Sequence, residues 1–160
     1  MISVAIITLS DKGSRGERED LSGEIIKKML QKIKAIVEFY EVLPDEKNLI
    51  KKKLIAYSKK VDLILTTDGT GLSPRDVTTD ATLEVIDKEV PGIAEAMRIE
   101  SLKKTRRAML SRAVAGIRGE TLIINLPGSP KAVKENLNAI LDIIPHAVEK
   151  IKGNTEDCGR

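Results

Sequence analysis

The sequence predicts an α/β protein in which a mostly parallel sheet, with one antiparallel hairpin strand, lies between two layers of helices. Near-continuous apolar runs at about 2–9, 61–67 and 121–126 are typical of strands that are buried on both faces. Apolar residues at helical spacing lie between these runs. Because strands that alternate with helices form parallel sheets covered on both sides, the pattern indicates a three-layer α/β/α sandwich.

The individual elements follow from periodicity and from the positions of proline. Strands are predicted at about 2–9, 36–43, 61–67 and 121–126. Helices are predicted at Leu21–Ile33, Leu49–Tyr57, 79–89, 91–104 and 130–150. Pro91 separates two of these helices, and Pro145 kinks or restarts the last one. The segments Val114–Ile117 and Thr121–Ile124 flank a short turn, which predicts the hairpin.

The composition is that of a globular chain with a single core. We expect one domain over residues 1–153 and a polar C-terminal tail over 154–160. Hydrophobic residues make up 41% and charged residues 32% of the chain, which excludes the disordered and membrane classes. Cys158 is the only cysteine and lies in the tail, so an internal disulfide or a cysteine-cluster metal site is excluded.

Charge and hydropathy narrow the range of partners. A formal net charge of +3 is too small to indicate a nucleic-acid-binding surface, and an aromatic content of 2% leaves few side chains for base stacking. No apolar run reaches the ~20 residues that span a bilayer. Met1 leads directly into a strand instead of a signal peptide. We therefore expect a cytoplasmic protein that binds neither nucleic acid nor membrane.

Polar loops follow the carboxyl ends of the predicted parallel strands. These loops are Ser10–Asp11, Pro44–Asp45, Thr67–Asp76 and Asn125–Ser129. Open α/β sheets bind ligands outside the carboxyl ends of their strands. We therefore expect the four loops to converge on one crevice.

The segment Thr66–Thr78 has the residues of an anion-binding loop. Gly69 and Gly71 let backbone N–H groups approach phosphate oxygens closely, threonines supply hydroxyl donors, and Arg75 supplies a cation. The segment lacks the G-x-x-x-x-G-K-[ST] string of a Walker A loop. It also lacks the third glycine of a Rossmann fingerprint, because Pro74 stands at that position.

Two aspartates of these loops have both a structural and a functional interpretation. Asp76 precedes a predicted helix, whose N-terminus it would stabilise, and Asp45 lies in a turn that opens another helix. Carboxylate oxygens also suit Mg²⁺, so Asp45 and Asp76 are candidates to hold together a Mg²⁺ that bridges nucleotide phosphates. We favour the Mg²⁺ site because Asp76 follows an anion-binding loop.

The glycine-rich segment and the residues after it contain the motifs Gly69–Gly71, Pro74–Thr78 and Ala81–Thr82. These motifs resemble those of the molybdenum-cofactor biosynthesis family of MogA and MoaB, the molybdopterin adenylyltransferases. The resemblance continues over almost the whole chain through Ser10–Asp11, Gly16–Asp20, Pro44–Glu46, Pro91–Gly92, Leu110–Arg112 and Asn125–Lys131. Asp68 stands where the family usually has glycine, and Thr79 where it usually has proline.

The resemblance implies a molybdopterin-binding fold with ATP and molybdopterin as substrates and Mg²⁺ as cofactor. It makes Asp45 and Asp76 the catalytic acids. The residues it assigns to the nucleotide are Thr67, Asp68, Gly69, Thr70, Gly71, Pro127, Gly128 and Ser129. The residues it assigns to the substrate are Ser10, Asp11, Arg75, Ser111 and Arg112. Considered without the resemblance, the segment Pro127–Ser129 is predicted to be an ordinary turn in which Ser129 caps the last helix.

The implied function is transfer of AMP from Mg-ATP to the molybdopterin phosphate, with release of pyrophosphate. The alternative is a non-catalytic molybdopterin-binding or scaffolding module of the same fold. Asp68 leaves this alternative open because it stands where the family usually has glycine. In an active enzyme we expect the Asp68 carboxylate to turn outward or to join the water shell of the metal. The resemblance also implies a homotrimer and a downstream molybdenum-insertion protein as partner.

Overall fold

The computed structural model describes residues 1–154, which form one mixed sheet between two layers of helices. The strands lie in the order β2-β1-β3-β6-β5-β4. Their bounds are β1 Ile2–Leu9, β2 Ala35–Leu43, β3 Leu63–Thr67, β4 Lys88–Glu89, β5 Ala115–Arg118 and β6 Thr121–Leu126. Residues 155–160 lie outside the described range, and with them Cys158 and all but the first residue of the predicted tail.

Helices connect the strands and cover the sheet. The α-helices are α1 Asp11–Ser14, α2 Leu21–Leu30, α3 Lys47–Tyr57, α4 Thr78–Val85, α5 Pro91–Leu102, α6 Pro130–Ile140 and α7 Ile144–Ile151. Short 3₁₀ turns lie at Gln31–Ile33, Arg106–Leu110 and Leu141–Ile143. The first turns of α5, α6 and α7 each contain a proline, whose fixed φ suits that position. Within residues 1–154, none of these helices has the length and apolar composition to cross a bilayer.

Successive residues of β1 enter two separate cores. Val4 and Ile6 pack with side chains of α2, α5, α6 and α7, whereas Ala5 and Ile7 pack on the other face with side chains of α3 and α4. All four side chains are fully buried. Full burial of a Val or Ile side chain contributes about 1.5–3 kcal/mol, so each helix layer requires apolar residues on the face of the strand that it covers. This requirement explains the near-continuous apolar runs.

The fold class predicted from the sequence is confirmed, and one element differs. Strands β2, β1, β3 and β6 are parallel, and β5 pairs antiparallel with β6 as the predicted hairpin. The helix predicted over 79–89 is wrong beyond Val85, because Lys88–Glu89 form β4, a second antiparallel strand beside β5. The N–H of Asp87 donates to the Ile117 carbonyl at 2.7 Å, a long-range contact that helical periodicity does not reveal.

The strand order places a crevice where the central parallel strands end. The side of the sheet at which these strands end is here called the carboxyl edge, and the side at which they begin the amino edge. From β1 the chain continues to β2 on one side, whereas β3 and β6 lie on the other side. A reversal of this kind leaves a ligand-binding crevice at the carboxyl ends of the two central strands. Ser10 and Asp68 are the first residues after these strands.

Candidate active site

Four loops meet at the carboxyl edge of the sheet. The Ser10 N–H donates to the Leu43 carbonyl at 2.8 Å, which joins the loops after β1 and β2. The Asp68 N–H donates to the Leu126 carbonyl at 3.1 Å, which joins the loops after β3 and β6. The cleft between these loops, here called the strand-end cleft, is lined by Thr8, Ser10, Gly13, Arg18, Glu19, Asp20, Ser22, Thr67, Asp68 and Gly128 among others.

Asp11 and Asp45 hold each other's loops in place. The Asp45 N–H donates to Asp11 Oδ1 at 2.9 Å, and the Asp11 N–H donates to Asp45 Oδ2 at 3.2 Å. Arg75, from the loop after β3, adds a two-pronged ion pair to Asp11, with Nη2–Oδ1 at 2.7 Å and Nε–Oδ2 at 3.1 Å. The Arg75 side chain is 61% exposed, so it is free to exchange this partner for a ligand.

These contacts leave the two carboxylates in opposite electrostatic states. The pKa of Asp11 is lowered by the hydrogen bond from the Asp45 backbone and then by the Arg75 guanidinium. The pKa of Asp45 is raised to about 6, first because burial penalises its charged form and then because the Asp11 and Asp68 carboxylates lie near it. At neutral pH, Asp45 therefore carries a charge that a bound cation would stabilise.

The loop after β3, here called the glycine loop (residues 67–76), has the backbone of an anion-binding turn. Asp68 and Gly69 have positive φ angles of 74° and 73°. The Gly69 carbonyl accepts a hydrogen bond from the Thr78 N–H at 3.1 Å, and a Cβ at Gly69 would lie 2.0 Å from Thr78 Oγ1, so only glycine fits. Among the hydrogen bonds within residues 1–154, none uses the N–H groups of Thr70 and Gly71, which are therefore donors for a ligand.

The Asp68 carboxylate is turned toward the loop after β6. Its Oδ1 accepts a hydrogen bond from the Gly69 N–H at 2.9 Å. A Cβ at Gly128 would lie 2.7 Å from Asp68 Cγ, so the carboxylate lies directly against that glycine. The outward orientation expected from the sequence is therefore wrong, because Gly128 leaves room for the side chain inside the cleft. A place in the water shell of a metal stays a prediction.

Arg112 fixes the far end of the glycine loop. Its guanidinium donates to the Gly71 carbonyl at 2.9 Å and to the Asp76 carbonyl at 2.8 Å, and it forms an ion pair with Asp80 at 3.0 Å. The Asp76 carboxylate accepts a hydrogen bond from the Ser73 N–H at 2.9 Å, so it caps a turn within its own loop. Arg112 was predicted to contact substrate, and its present contacts instead position the loop that carries Asp76.

The carboxylates at this edge bear on the magnesium site predicted from the sequence. Asp45 and Asp76 accept hydrogen bonds from different loops, and the carboxylates that raise the Asp45 pKa are those of Asp11 and Asp68, not that of Asp76. Within residues 1–154, no group of three or more His, Cys, Asp or Glu side chains has the arrangement of a metal site. Mg²⁺ often keeps several waters and takes one or two carboxylates. A Mg²⁺ site formed by Asp45 and Asp76 together therefore stays a prediction.

A second cavity, here called the Ser111 groove, adjoins the glycine loop. It encloses about 290 Å³ between α5, the turn Arg106–Leu110 and α6. Its lining combines apolar side chains, several hydroxyls, two cations and one anion, and includes Met97, Leu110, Arg98, Arg107, Ser111 and Glu135. Arg98 Nη1 donates to the Ala113 carbonyl at 2.8 Å and thereby fixes the segment that carries Ser111. The groove therefore offers an apolar surface with hydrogen-bonding groups and two cations beside one carboxylate.

The turn 127–129 borders both cavities. Ser129 Oγ accepts a hydrogen bond from a first-turn N–H of α6 at 3.2 Å, so the structural interpretation of this turn is confirmed. Ser22 Oγ donates to the Gly128 carbonyl at 2.8 Å, which ties the turn to α2. Pro127 lines the Ser111 groove, and Gly128 lines the strand-end cleft. The site residues predicted from the sequence thus lie on both sides of the glycine loop.

A network of polar side chains that the sequence did not reveal lies beside the strand-end cleft. Asp20 Oδ2 accepts hydrogen bonds from Thr8 Oγ1 at 2.6 Å and from the Tyr40 hydroxyl. Thr67 Oγ1 donates to Thr8 Oγ1 at 3.3 Å. Asp20 also caps α2, and a polar residue just before an apolar helical pattern is a recognisable N-cap signal. Thr8 and Tyr40 depend on strand register, for which no such local signal exists.

Comparison with known proteins relates this chain to one family. Residues 5–146 match the family model described as probable molybdopterin binding domain. The molybdopterin adenylyltransferase of Helicobacter pylori is 44% identical over 157 residues, which cover 96% of this chain and 89% of that protein. The crystal structure of the molybdopterin biosynthesis enzyme MoaB from Thermus thermophilus superposes with a TM-score of 0.90 at 51% identity, covering 96% of this chain and 98% of that one. The molybdenum cofactor biosynthesis bifunctional protein of Chlorobaculum tepidum is 36% identical, and the alignment covers 94% of this chain and 48% of that protein.

Proposed function

This chain belongs to the family of the molybdopterin binding domain, and on that premise we propose that it is a molybdopterin adenylyltransferase. It transfers AMP from Mg-ATP to the phosphate of molybdopterin and releases pyrophosphate. One observation carries the proposal: a glycine loop with N–H donors separates two cavities, beside a carboxylate whose pKa is raised to about 6. In this arrangement, ligands in the two cavities would bring their phosphates to the same loop.

Adenylyl transfer requires the reacting phosphates to be held in line. An oxygen of the molybdopterin phosphate forms a bond to the α-phosphorus of ATP, while the bond from that phosphorus to the oxygen bridging the β-phosphate breaks. Pyrophosphate carries away the electron pair of the broken bond. Because no covalent enzyme nucleophile takes part, the residues act by positioning and by stabilising negative charge.

The strand-end cleft and the glycine loop are assigned to the nucleotide. The N–H groups of Thr70 and Gly71, two residues that also line the Ser111 groove, bind its phosphates where the two cavities adjoin, and Arg75 exchanges Asp11 for a phosphate oxygen. Asp45 and Asp76 are the ligands of Mg²⁺, which when bound neutralises negative charge on the phosphates. The raised pKa of Asp45 supports this assignment because a cation removes the repulsion among the carboxylates.

The Ser111 groove is assigned to molybdopterin. Its apolar lining suits the ring system, and Arg98 and Arg107 lie in its wall. Ser111 contacts the substrate in this assignment, whereas Arg112 acts by holding Gly71 and Asp76 in place. Ser10 and Asp11 lie beside the strand-end cleft, so in our proposal they contact substrate only where the two ligands meet.

The proposal extends to assembly, compartment and partner. Exposed apolar side chains lie on α5 and the turn after it, at Ile99, Leu102, Met109 and Leu110. An exposed apolar surface of this kind suits contacts between copies of the chain. We propose that these contacts form a homotrimer with cyclic symmetry. Light scattering that returns a monomer mass at micromolar concentration would remove this claim. We place the protein in the cytoplasm, and we propose a molybdenum-insertion protein as its downstream partner.

The decisive experiment supplies the purified protein with ATP, Mg²⁺ and molybdopterin. We expect adenylylated molybdopterin and pyrophosphate in equal amounts, and neither product when any one of the three components is left out. Mass spectrometry identifies the first product, and an enzyme-coupled assay quantifies the second. If molybdopterin binds and no product forms, the chain is a binding module of the same fold and the proposal is wrong.

A further inference from the structure

The side chain of Asp68 already satisfies one donor of the glycine loop. Asp68 Oδ1 accepts a hydrogen bond from the Gly69 N–H at 2.9 Å. In an anion-binding turn of this type, successive backbone N–H groups point at the ligand. The carboxylate therefore takes a place that a phosphate oxygen would otherwise occupy, and it is covalently tethered there.

The orientation of this carboxylate is fixed by its surroundings. Asp68 Cγ and both carboxylate oxygens lie within 2.8 Å of the point where a Cβ of Gly128 would be, so the side chain is wedged against the loop after β6. Ser22 Oγ donates to the Gly128 carbonyl at 2.8 Å and thereby restrains the position of that loop. The positive φ of Asp68, 74°, directs the side chain into the cleft. A ligand must accommodate this charge because the side chain has little room to turn away.

Charges around the cleft do not neutralise Asp68. Asp45 lies near enough for the two carboxylates to repel each other. The Arg75 guanidinium is paired with Asp11, and if it moves to a phosphate it leaves the Asp11 carboxylate unneutralised, so the net charge of the cleft does not change. Arg18 and Glu19, which also line the cleft, carry opposite charges. A nucleotide that enters with the full negative charge of its phosphates therefore meets a site of the same sign, and such repulsion is strong where water is partly excluded.

We propose that Asp68 is a specificity-determining residue that rejects metal-free phosphate anions from the glycine loop and admits the nucleotide only together with its divalent cation. This inference rests on the proposed function, since it specifies the form in which that site accepts ATP. It predicts a difference in binding that exists before any chemistry takes place. A residue that only shaped the turn would show no such difference.

The test compares the affinities of wild type, Asp68→Asn and Asp68→Gly for ATP with EDTA and for ATP with excess Mg²⁺, by isothermal titration calorimetry. Asparagine and glycine both adopt positive φ readily, so the loop should keep its shape, and circular dichroism checks the fold. We expect wild type to prefer Mg-ATP strongly. Removing the charge should tighten the binding of metal-free ATP about tenfold or more, while binding of Mg-ATP changes less.

Asp87 provides a matched control. Its Oδ2 accepts a hydrogen bond from the Gly119 N–H at 2.7 Å, so this aspartate also caps a glycine in a turn, at the hairpin between β5 and β6. Asp87→Asn should leave the preference for Mg-ATP within about twofold of wild type, because like charges act mainly within a Debye length of ~10 Å.

Each outcome decides between the claims. If Asp68→Asn binds metal-free ATP no more tightly than wild type, the inference is overturned, even if Asp68→Gly does bind it more tightly. If wild type binds ATP in neither form but binds molybdopterin, both the inference and the proposed function fail. If the preference for Mg-ATP changes as expected and no adenylylated product forms, the inference stands and the proposed function fails.

Discussion

Asp45 and Asp62 are half-buried carboxylates at opposite edges of the same sheet, and their electrostatic surroundings differ in sign. Asp62 precedes β3, where the Ser3 N–H donates to it at 2.9 Å, the Ser3 hydroxyl donates at 3.1 Å, and Lys152 Nζ lies 2.6 Å away. Burial raises the pKa of Asp62, but these contacts outweigh burial and lower it overall. Asp45 accepts a hydrogen bond from the Asp11 N–H and has carboxylates nearby, so its pKa rises to about 6.

Two buried threonines show the same contrast between the edges. At the amino edge, Thr121 Oγ1 lies 2.6 Å from the Val61 carbonyl and 2.8 Å from the Ser58 carbonyl. At the carboxyl edge, Thr78 Oγ1 is, among the residues the structure describes, the buried side-chain polar atom without a hydrogen-bond partner. The buried hydroxyl at the amino edge is therefore satisfied, whereas the one at the carboxyl edge is not. An unsatisfied polar group and a carboxylate with a raised pKa at the same edge are features typical of functional sites.

The largest effect should come from removing charge at the carboxyl edge. Asp45→Asn and Asp76→Asn should each reduce adenylyl transfer by about 10²-fold or more, because each removes a charge that acts on the cation and not a core contact. Molybdopterin binding should persist. Pyrophosphate release at saturating substrates measures the effect. If either variant keeps full activity at limiting Mg²⁺, that aspartate does not act on the cation and only stabilises its turn.

At the amino edge, the matched substitution should affect stability and spare catalysis. Asp62→Asn replaces a carboxylate that receives charge-assisted hydrogen bonds, so the free energy of unfolding at pH 7 should fall by about 1–3 kcal/mol. Urea denaturation followed by circular dichroism measures the loss. Turnover of the folded variant should equal that of wild type. A loss of turnover in the folded protein would contradict the division between the two edges.

The pH dependence of stability should have opposite signs for the two aspartates. The folded pKa of Asp45, about 6, is above the usual 3.8, so this group lowers stability progressively as pH rises from about 4 to 6. Asp45→Asn should therefore be more stable than wild type at pH 8 and lose that advantage near pH 4. The folded pKa of Asp62 is lowered, so its contribution is present above its unfolded pKa and is lost as pH falls through the folded value.

Urea titrations of both variants at pH 8 and pH 4 provide the measurement, with wild type as the reference. An Asp45→Asn variant that is less stable than wild type at pH 8 would show that the Asp45 carboxylate stabilises the fold. The proposed asymmetry between the edges would then be wrong.

The smallest effect concerns the unpartnered hydroxyl. Thr78→Val keeps the shape of the side chain and removes Oγ1, which is buried without a partner, so unfolding free energy should stay the same or rise by up to ~1 kcal/mol. Thermal denaturation measures it. A decrease in the unfolding free energy would contradict this expectation, because it would show that the hydroxyl has a hydrogen-bond partner in solution. Thr121→Val serves as the control, because it removes contacts with two carbonyls and should destabilise the fold.

The sequence predicted the parallel core because both faces of β1 and β3 are apolar and their helices have clear periodicity. It did not predict β4, because this short strand depends on distant β5: Asp87 bonds to Ile117, and Ile86 packs against Gly116. Local spacing carries no information about such pairing. The helix was therefore extended beyond Val85, where its hydrogen-bond pattern ends.

The positions of the site residues were predictable, and their mutual contacts were not. The loops at the strand ends followed from the order of strands and helices. The engagement of Arg112 with Gly71, Asp76 and Asp80 joins segments more than thirty residues apart. Likewise, the space that Gly128 leaves for Asp68 depends on how two loops pack. Motifs therefore located the candidate residues, whereas only the folded chain distinguishes a ligand from a positioning residue.

The most direct test of the difference between the edges is a titration of the aspartate carboxylates by carbon-13 NMR in the Mg²⁺-free protein. We expect Asp45 to titrate near pH 6 and Asp62 below the usual range of aspartate. The variants Asp45→Asn and Asp62→Asn each lack one of the two signals and thereby assign them. Addition of Mg²⁺ should lower the Asp45 midpoint and leave that of Asp62 unchanged. An Asp45 midpoint at or below that of Asp62, or one that Mg²⁺ does not move, would contradict the proposed difference between the two edges of the sheet.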